Sequence, residues 1–321
     1  MTTLVYMAKP VYGGWVTFTA HLCLKYGCQL YKVSKRTESK KREYGYGVQY
    51  QNLRIDALLE KEDMVITALD KHYWKYLYLF PENTRIIIHD PTELKGKDNP
   101  LPGLLNKFKV ITIRETVQKF LKENFNVNSE FKIHPFYGYP KSNDKSEYES
   151  LSISRIDFDK HTDLILKANQ LITDCDKQIR IFGAENRLYV HHKLKILDFE
   201  LFWKGKYPKT LPLRYNDKDL LNSCKFVVDM SIIKGDGGGT QYTFLEAIYH
   251  GCALILHHDW VSHGDTFTKD KNCFVVGENG NEHVPQEIKE IIMEGEDTLR
   301  YKRIIRNSKL ILKDHLDIEW L

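Results

Sequence analysis

A glycine-rich run in the second half of the chain has the residue types of an anion-binding turn. The run reads Gly235, Asp236, Gly237, Gly238 and Gly239. The segment 241–256 after it is typical of a helix followed by a buried strand. Glycines let the backbone approach a ligand, and the first turn of a helix presents N–H groups and a positive dipole end. The segment predicts a phosphate site, with a flexible surface loop before an ordinary helix as the alternative.

One carboxylate lies inside the helix predicted after this turn. Glu246 stands between Leu245 and Ala247, on a helix that is expected to pack against a sheet. Burying a carboxylate is costly unless a ligand or a hydrogen-bond donor meets it. We therefore expect Glu246 to hold a hydroxyl group of a ligand.

Two cations follow the first predicted strand of the second half of the chain. Arg155 comes directly after the strand 151–154, and Lys160 stands at the start of the next predicted helix. Arg offers a bidentate fork and Lys a compact charge, so the pair suits a diphosphate. Salt bridges to Asp157 and Asp159 are the alternative, and the residues alone leave both interpretations open.

A His-Asp pair follows a predicted buried strand in the first half of the chain. In RIIIHDPTEL, His89 and Asp90 come just after the strand, and Pro91 stiffens the turn. The carboxyl ends of parallel strands are where ligands bind in open α/β sheets. We therefore expect the pair of His89 and Asp90 to orient or deprotonate an acceptor hydroxyl. A purely structural role for the histidine is the alternative.

Basic residues cluster after the second predicted strand. They are Lys35, Arg36, Lys40, Lys41 and Arg42. The segment 32–42, followed by the sequence YGYG, is predicted to be a mobile basic loop. It is either a solvated surface or a contact for nucleic-acid phosphates.

Strands and helices alternate along the whole chain. The predicted strands are 4–7, 29–33, 64–67, 85–89, 109–113, 151–154, 178–183, 225–230 and 253–258. The predicted helices are 15–27, 115–125, 160–173, 191–203, 217–224, the one that follows the glycine run, 285–293 and 297–314. Such alternation predicts parallel sheets with crossover helices.

Chain length predicts more than one core. A chain of 321 residues exceeds the size at which a single hydrophobic core stops growing. The segment 135–149 is rich in Pro, Gly, Asn, Ser and Lys and is the predicted linker. We expect an α/β fold of two doubly wound, Rossmann-like, parallel-sheet domains facing a central cleft, over 1–140 and 150–296. The remaining helix, 297–321, is expected to pack back on the first domain.

Composition excludes several classes of protein. Hydrophobic content of 42% with 28% charge and a net charge of +4 is typical of a globular protein. No apolar run approaches the ~20 residues of a membrane span, and the first residues lack the layout of a signal peptide, so a cytoplasmic protein without membrane insertion is expected. The six cysteines form no CxxC pair and are expected to be reduced and buried. Clustered carboxylates are not apparent, so a metal is not predicted.

Four motifs, in order, resemble the donor half of retaining glycosyltransferases of the GT-B fold. They are SRIDFDKHTDLILKA, RIFGAENR, DLLNSCKFVVDMS and GGGTQYTFLEAIYHGCALI. In that family, the Arg and Lys after the first strand bind the diphosphate of a sugar nucleotide, and the helix acid binds its ribose. The resemblance implies these roles for Arg155, Lys160 and Glu246. The family's first motif acid falls at Gly238 here, which leaves the sugar open, with Asp236 or backbone amides as replacements.

A closer resemblance, on motifs spread over most of the chain, is to the DNA α-glucosyltransferases of T-even-type bacteriophages. The similar segments are YMAKPVYGGWVTFTAHL, IIIHDPTEL and FGAENR. The resemblance implies a retaining transfer from a nucleoside-diphosphate sugar, with UDP favoured, to 5-hydroxymethylcytosine in duplex phage DNA inside an infected host cell. It implies no tightly bound cofactor and no metal requirement. The donor contacts that it adds are Gly13, Gly14, Asn186, Arg187 and the glycines 237–239, and the basic residues of 32–42 become DNA contacts.

Three other functions remain open at this point. The same fold can glycosylate a glycan or a lipid. A dinucleotide oxidoreductase is disfavoured because the first glycine loop lacks the GxGxxG pattern. A DNA-binding module without catalysis predicts tight binding that does not depend on a sugar nucleotide.

Overall fold

The chain folds into two α/β units. The structure, a computed structural model, describes residues 2–9, 14–90, 101–232 and 239–321. Unit 1 comprises Met1–Gly138 and His315–Leu321, and unit 2 comprises Tyr139–Asp314. Each unit contains a largely or wholly parallel sheet, which confirms the predicted α/β fold class.

Unit 1 is built from apolar strands that alternate with helices. Its described strands are β1 (Thr3–Met7), β2 (Gln29–Val33), β3 (Lys41–Gly45), β4 (Val48–Leu53), β5 (Met64–Leu69), β6 (Arg85–Ile88), β7 (Lys109–Thr112) and β8 (Ser129–Phe131). Its helices are α1 (Gly14–Tyr26), α2 (Ile55–Leu59), α3 (Leu101–Leu105) and α4 (Glu115–Phe125), with a 3-10 turn at Trp74–Leu79.

The described strands of unit 1 form a sheet of eight in the order β3-β4-β2-β1-β5-β6-β7-β8. All neighbouring pairs are parallel except β3 with β4. The central strands are buried on both faces, because helices cover a parallel sheet on both sides. The register pairs Ile88 of β6 with Thr112 of β7, so the residues after both strands lie at the same edge.

Unit 2 repeats this architecture. Its strands are β9 (Ser150–Ile153), β10 (Arg180–Phe182), β11 (Trp203–Gly205), β12 (Arg214–Tyr215), β13 (Lys218–Asp219), β14 (Phe226–Asp229), β15 (Ala253–His257) and β16 (Phe274–Val276). Its helices are α5 (Thr162–Leu171), α6 (Arg187–Tyr189), α7 (Phe199–Phe202), α8 (Tyr242–His250), α9 (His258–Val261), α10 (Val284–Glu294) and α11 (Leu299–Asp317), the last of which continues into the C-terminal segment of unit 1.

The main sheet of unit 2 is parallel and has the described order β11-β10-β9-β14-β15-β16. On one face Phe226 and Val228 of β14 join a buried cluster with residues of α5 and α10. Because side chains alternate across a strand, Val227 and Asp229 face the opposite side of the sheet. Helix α8 ends at Gly251, whose φ of 86° lets the chain reverse into β15.

Three local predictions were wrong. The segment 217–224 contains β13, which pairs with β12, and a turn. Asp219 Oδ1 accepts hydrogen bonds from the backbone N–H groups of Leu221 and Asn222, which competes with a helix. The basic segment is not a loop throughout, since it includes the end of β2 and the start of β3. The helix predicted at 191–203 is broken into π, 3-10 and short α turns.

The C-terminal segment is part of the packing of unit 1. Trp320 is buried and donates from Nε1 to the carbonyl of Ile133 at 2.9 Å. Lys25 Nζ donates to the carbonyls of Leu316 at 2.6 Å and Ile318 at 2.9 Å, which satisfies acceptors at the end of α11.

Two further predictions, on membrane spans and on cysteines, can be compared with the structure. None of the helices in the described ranges combines the length and apolar character needed to cross a bilayer. The six cysteines are unpaired, but Cys175 is exposed and Cys28 is half-buried, so the prediction that all are buried was wrong. Both lie in turns between elements, where the chain is close to the surface.

Candidate active site

Lys160 is a buried cation at the carboxyl edge of the sheet in unit 2. It ends a 3-10 turn between β9 and α5, and only 6% of the residue is exposed. Its Nζ donates to Ser231 Oγ at 2.6 Å and lies 5.8 Å from the ring centre of Trp260. It makes no ion pair with a carboxylate of the described residues. A buried ammonium without a counter-ion is costly, so this position favours an anionic ligand.

Arg155 is placed differently from Lys160. Its side chain is 61% exposed and donates to Asp157 at 3.0 Å and to Asp159 at 2.9 Å. These are the salt bridges that the sequence analysis kept as the alternative to a diphosphate contact. Exposed ion pairs contribute little to stability, so the guanidinium remains available to exchange partners at small cost.

Asn186 and Arg187 begin the helix after β10. Asn186 Oδ1 accepts from the backbone N–H groups of Leu188 and Tyr189, and its Nδ2 donates to Asp157 at 2.9 Å. The side chain therefore caps α6, which is a structural role that the sequence did not indicate. Arg187 is exposed and lines a cavity of about 620 Å³.

Gly183, directly after β10, allows the chain there to pass close to Ser154, directly after β9. A Cβ at this position would lie 1.7 Å from the carbonyl oxygen of Ser154. The Gly183 carbonyl in turn accepts from Trp203 Nε1 at 3.1 Å. Only glycine lets the chain after β10 lie against the chain after β9, where Arg155 and Lys160 follow.

Glu246 is fully buried on α8. Its Oε2 accepts a hydrogen bond from the Tyr207 hydroxyl at 3.3 Å. Burial raises the pKa of Glu246 to about 8, with a smaller contribution of the same sign from Asp219, while the Tyr207 hydrogen bond opposes the rise. The carboxyl group is thus mostly protonated at neutral pH in the protein alone. Tyr207 of the same unit is thus a hydrogen-bond donor to Glu246, and the ligand hydroxyl expected there stays a prediction.

Two polar groups near this edge were missed by the sequence analysis. Asp229 ends β14 and is 4% exposed, and its Oδ1 accepts from the backbone N–H of Ser231 at 2.9 Å. Its Oδ2 has no hydrogen-bond partner in the described part of the chain. Gln241 Nε2, directly before α8, is likewise buried without a described partner. The signal in the sequence is a carboxylate at the end of the apolar run FVVD.

In unit 1, His89 is buried at the end of β6. Its Nε2 lies 2.8 Å from the carbonyl oxygen of Thr67, and its ring meets the edge of Phe18 at 4.9 Å. A carbonyl only accepts, so Nε2 carries the proton and Nδ1 of the neutral ring is an acceptor. Burial lowers the pKa of His89 to about 4; nearby Arg114 adds to this, and the Thr67 hydrogen bond and Asp90 oppose it. Asp90 follows and is half-buried.

The basic segment forms an exposed surface along the outer strand of unit 1. Arg42 makes a bidentate pair with Glu38, at 2.7 and 2.9 Å. The other four cations make no ion pair with a described residue; they are Lys35, Arg36, Lys40 and Lys41. An open depression of about 920 Å³ beside them is lined by residues 37–43 and Tyr50.

Several predicted donor contacts lie outside the described residues. They are Gly13, Asp236, Gly237 and Gly238. Gly14 begins α1, and Gly239 lies just before α8. Within the described ranges, no group of three or more His, Cys, Asp or Glu side chains is arranged to hold a metal ion.

Solved glycosyltransferases share the fold of the whole chain. HepE of Anabaena, solved with UDP and glucose, matches with a TM-score of 0.69 over 99% of this chain and 96% of that chain, at 14% identity. An alpha-glucosyltransferase solved with UDP and a 13-mer DNA containing an HMU base matches with 0.68 over 99% and 96%, at 13% identity.

A third solved structure matches a smaller share of both chains. A mutant of TarM from S. aureus, solved with fondaparinux, alpha-GlcNAc-glycerol and UDP, has a TM-score of 0.57 over 82% of this chain and 57% of that chain, at 16% identity. No protein-family model and no curated protein matches the sequence. Likeness at these identities establishes the fold, which is GT-B, as the motifs of the second half predicted.

Proposed function

We propose that the protein is a glycosyltransferase that binds a nucleoside-diphosphate sugar, with UDP as the nucleotide, through unit 2. The observation that carries this proposal is the buried ammonium of Lys160, which has Ser231 and Trp260 beside it and makes no ion pair with a described carboxylate. A diphosphate supplies the missing negative charge. The fold is shared with proteins solved with UDP, which supports the choice of nucleotide.

Different residues of unit 2 bind different parts of the donor. Lys160 neutralises the charge that develops on the leaving diphosphate, which is the largest kind of contribution in such reactions. Arg155 supplements it by leaving its exposed salt bridges. Glu246 holds the ribose hydroxyls, and the chain before α8 supplies backbone N–H groups. With two cations in this role, we expect transfer without added divalent metal.

The residues of unit 1 act on the acceptor hydroxyl. In a retaining front-face transfer, the departing phosphate takes up the acceptor proton, and Asp90 assists as a base. His89 is neutral at physiological pH and is fixed by Thr67, which suits an orienting hydrogen-bond acceptor rather than an acid. These roles require no covalent intermediate on the protein.

The acceptor that we propose is the hydroxymethyl group of 5-hydroxymethylcytosine in duplex DNA. The exposed cations of the basic segment suit a phosphate backbone, and four of them have no ion pair with a described residue. A protein of this fold has been solved with DNA that contains an HMU base. An enzyme that modifies a base in a duplex must first flip it out of the stack.

A glycan or lipid acceptor is the second candidate. A protein of the same fold has been solved with alpha-GlcNAc-glycerol. Charges on an outer strand also have a structural use, because they prevent edge-to-edge pairing with another sheet. In that case, Lys41 and Arg42 protect β3 and bind no acceptor.

Mass spectrometry of nucleosides distinguishes the two acceptors. Hydroxymethylated duplex DNA is incubated with the protein and UDP-glucose, UDP-galactose or UDP-GlcNAc, and unmodified DNA is the control. A hexose adduct on hydroxymethylcytosine, with one UDP released for each adduct, is the expected result. Donor consumption with a glycan or lipid acceptor but none with DNA establishes the second candidate, and failure to bind any UDP-sugar contradicts the glycosyltransferase proposal.

A further inference from the structure

A buried carboxylate stands at the end of a central strand of unit 2, and only one of its two oxygens is hydrogen-bonded within the described residues. Asp229 Oδ1 accepts from the Ser231 N–H at 2.9 Å, which fixes the orientation of the side chain. Its Oδ2 has no hydrogen-bond partner in the described part of the chain, and the residue is 4% exposed. A buried carboxylate oxygen without a donor costs free energy, and the residues that the structure describes supply none for Oδ2.

The neighbours of Asp229 identify the kind of molecule that supplies this donor. Ser231, whose backbone holds Asp229, also accepts from Lys160 Nζ at 2.6 Å. Asp229 therefore lies two residues before Ser231, whose hydroxyl accepts from the buried ammonium of Lys160. Gln241 Nε2, before the first turn of α8, is a buried donor without a described partner. The ligand must combine negative charge for Lys160 with hydroxyl groups that both donate and accept.

Strand geometry places Asp229 on the side of the sheet where such a ligand is expected. Phe226 and Val228 belong to the buried cluster on one face, so Asp229 faces the other. Its partner in the register is Leu256 of β15. Trp260, which lies beside Lys160, contacts Phe244 of α8 at 6.0 Å between ring centres. Lys160 therefore extends toward the same side of the sheet as α8.

We propose that Asp229 accepts a hydrogen bond from a hydroxyl of the donor sugar and thereby determines which sugar is used. This inference rests on the proposed function. It accounts for the glycine at position 238, where related motifs carry an acid, because the acid is supplied from the end of β14 instead. A carboxylate that must accept a hydrogen bond from a hydroxyl rejects sugars that lack that hydroxyl.

The test compares UDP with UDP-sugars by isothermal titration calorimetry. The donor that binds best among UDP-glucose, UDP-galactose and UDP-GlcNAc is titrated into the wild-type protein and into Asp229→Asn. The variant keeps an oxygen for the Ser231 N–H and replaces Oδ2 by an amide NH₂, which only donates. We expect its affinity for the UDP-sugar to fall by about 10- to 100-fold, while its affinity for UDP is unchanged.

A matched control and a set of donor analogues separate this role from a structural one. Asp219→Asn changes another buried aspartate whose Oδ2 has no described hydrogen-bond partner, and its ratio of UDP-sugar to UDP affinity should equal that of the wild type. Deoxy analogues that each lack one sugar hydroxyl are titrated into the wild-type protein, which needs no variant to fold. One analogue should bind weakly to the wild type and show no further loss with Asp229→Asn.

Different results would contradict the sugar-reading role of Asp229 and the glycosyltransferase function. If the wild type binds a UDP-sugar and Asp229→Asn loses affinity for UDP and UDP-sugar equally, or for neither, the sugar-reading role is wrong and the glycosyltransferase proposal stands. If the wild type binds neither UDP nor a UDP-sugar, both are wrong.

Discussion

Lys160 and Ser231 are joined by a hydrogen bond of 2.6 Å between Nζ and Oγ, across 71 positions of the sequence. The backbone strengthens the same junction, because the N–H of Ile232 donates to the carbonyl of Asp159 at 2.9 Å. The chain after β9 and the chain after β14 are thereby held together at one edge of the sheet. This junction positions the ammonium on which the proposed donor site depends.

Replacing Lys160 should weaken transfer far more than replacing Arg155. Lys160→Met removes the buried charge and keeps the aliphatic volume, so we expect a loss of about 2 to 4 kcal/mol of transition-state stabilisation. Arg155→Met removes an exposed, salt-bridged group and should cost less than half of this. Steady-state kcat/KM with the accepted donor is the measurement.

Lys167→Met is the control for these variants, because Lys167 is an exposed lysine of α5 paired with Asp163. It should leave kcat/KM unchanged. A variant Lys160→Met that keeps full affinity for UDP and full activity would show that the ammonium does not meet the diphosphate.

Glu246 should make stability depend on pH in the neutral range. Its pKa is raised from 4.5 to about 8, chiefly by burial, so the folded protein holds a proton that the unfolded chain releases. The free energy of unfolding therefore falls as the pH rises from about 4.5 through about 8. In Glu246→Gln this dependence disappears. The difference in Tm, variant minus wild type, should therefore increase between pH 5 and pH 8.

The same variant tests the ribose assignment. Calorimetric titration with UDP at pH 7 should show weaker binding to Glu246→Gln than to the wild type. Tyr207→Phe, which removes the hydroxyl that meets the carboxyl group and keeps the acid, is the companion variant. Equal UDP affinity of all three proteins would assign Glu246 to the packing of unit 2 alone.

Buried histidines should make unit 1 sensitive to acid. Burial lowers the pKa of His21 to about 3 and that of His89 to about 4, against an ordinary value of 6.5. The unfolded chain binds protons first, so stability is complete above about pH 6.5 and is lost as the pH falls toward 4. His21→Gln should show a smaller loss of Tm between pH 7 and pH 5 than the wild type. The exposed His72 gives the control His72→Gln, which should follow the wild type.

Neutralising the basic segment should separate DNA binding from chemistry. Changing Lys35, Arg36, Lys40, Lys41 and Arg42 to Gln should lower DNA affinity and flatten its salt dependence by about 0.9 in log K against log salt for each phosphate that the variant no longer binds. Fluorescence anisotropy at several salt concentrations is the measurement. Neutralising the exposed Lys107 and Lys109 at the other end of the sheet is the control.

Asp90→Asn should behave in the opposite way, with DNA affinity retained and turnover depressed, since Asp90 acts on the hydroxyl proton. The absence of salt-sensitive DNA binding by the wild type would rule out the DNA acceptor and favour the glycan or lipid.

Gly183→Ala should destabilise unit 2 by about 3 kcal/mol or more, because its Cβ would overlap the Ser154 carbonyl at 1.7 Å. Gly14→Ala is the comparison, since an added Cβ there meets no atom within 4 Å. Urea unfolding should place the midpoint of Gly183→Ala well below that of Gly14→Ala. Similar midpoints would show that the chain after β9 can move away at little cost.

The sequence by itself determined the elements that depend on local pattern. Apolar runs such as RIII and KVIT became β6 and β7, and the amphipathic segment 115–125 became α4, because alternation and helical periodicity specify which faces are buried. The alternating order then implied parallel sheets. The helix predicted over 217–224 was wrong, because Asp219 Oδ1 accepts a hydrogen bond from the backbone N–H of Leu221 and favours a turn.

Tertiary structure alone decided how the charged residues are used. Arg155 and Lys160 are equivalent as a sequence pattern, yet the first lies in exposed salt bridges and the second is buried against Ser231. Asp229 was part of an apolar run, and only the strand register and the burial of its Oδ2 distinguish it. The physical reason is that the free energy of a charge depends on its distance to other charges and to water, and these distances join residues far apart in the chain.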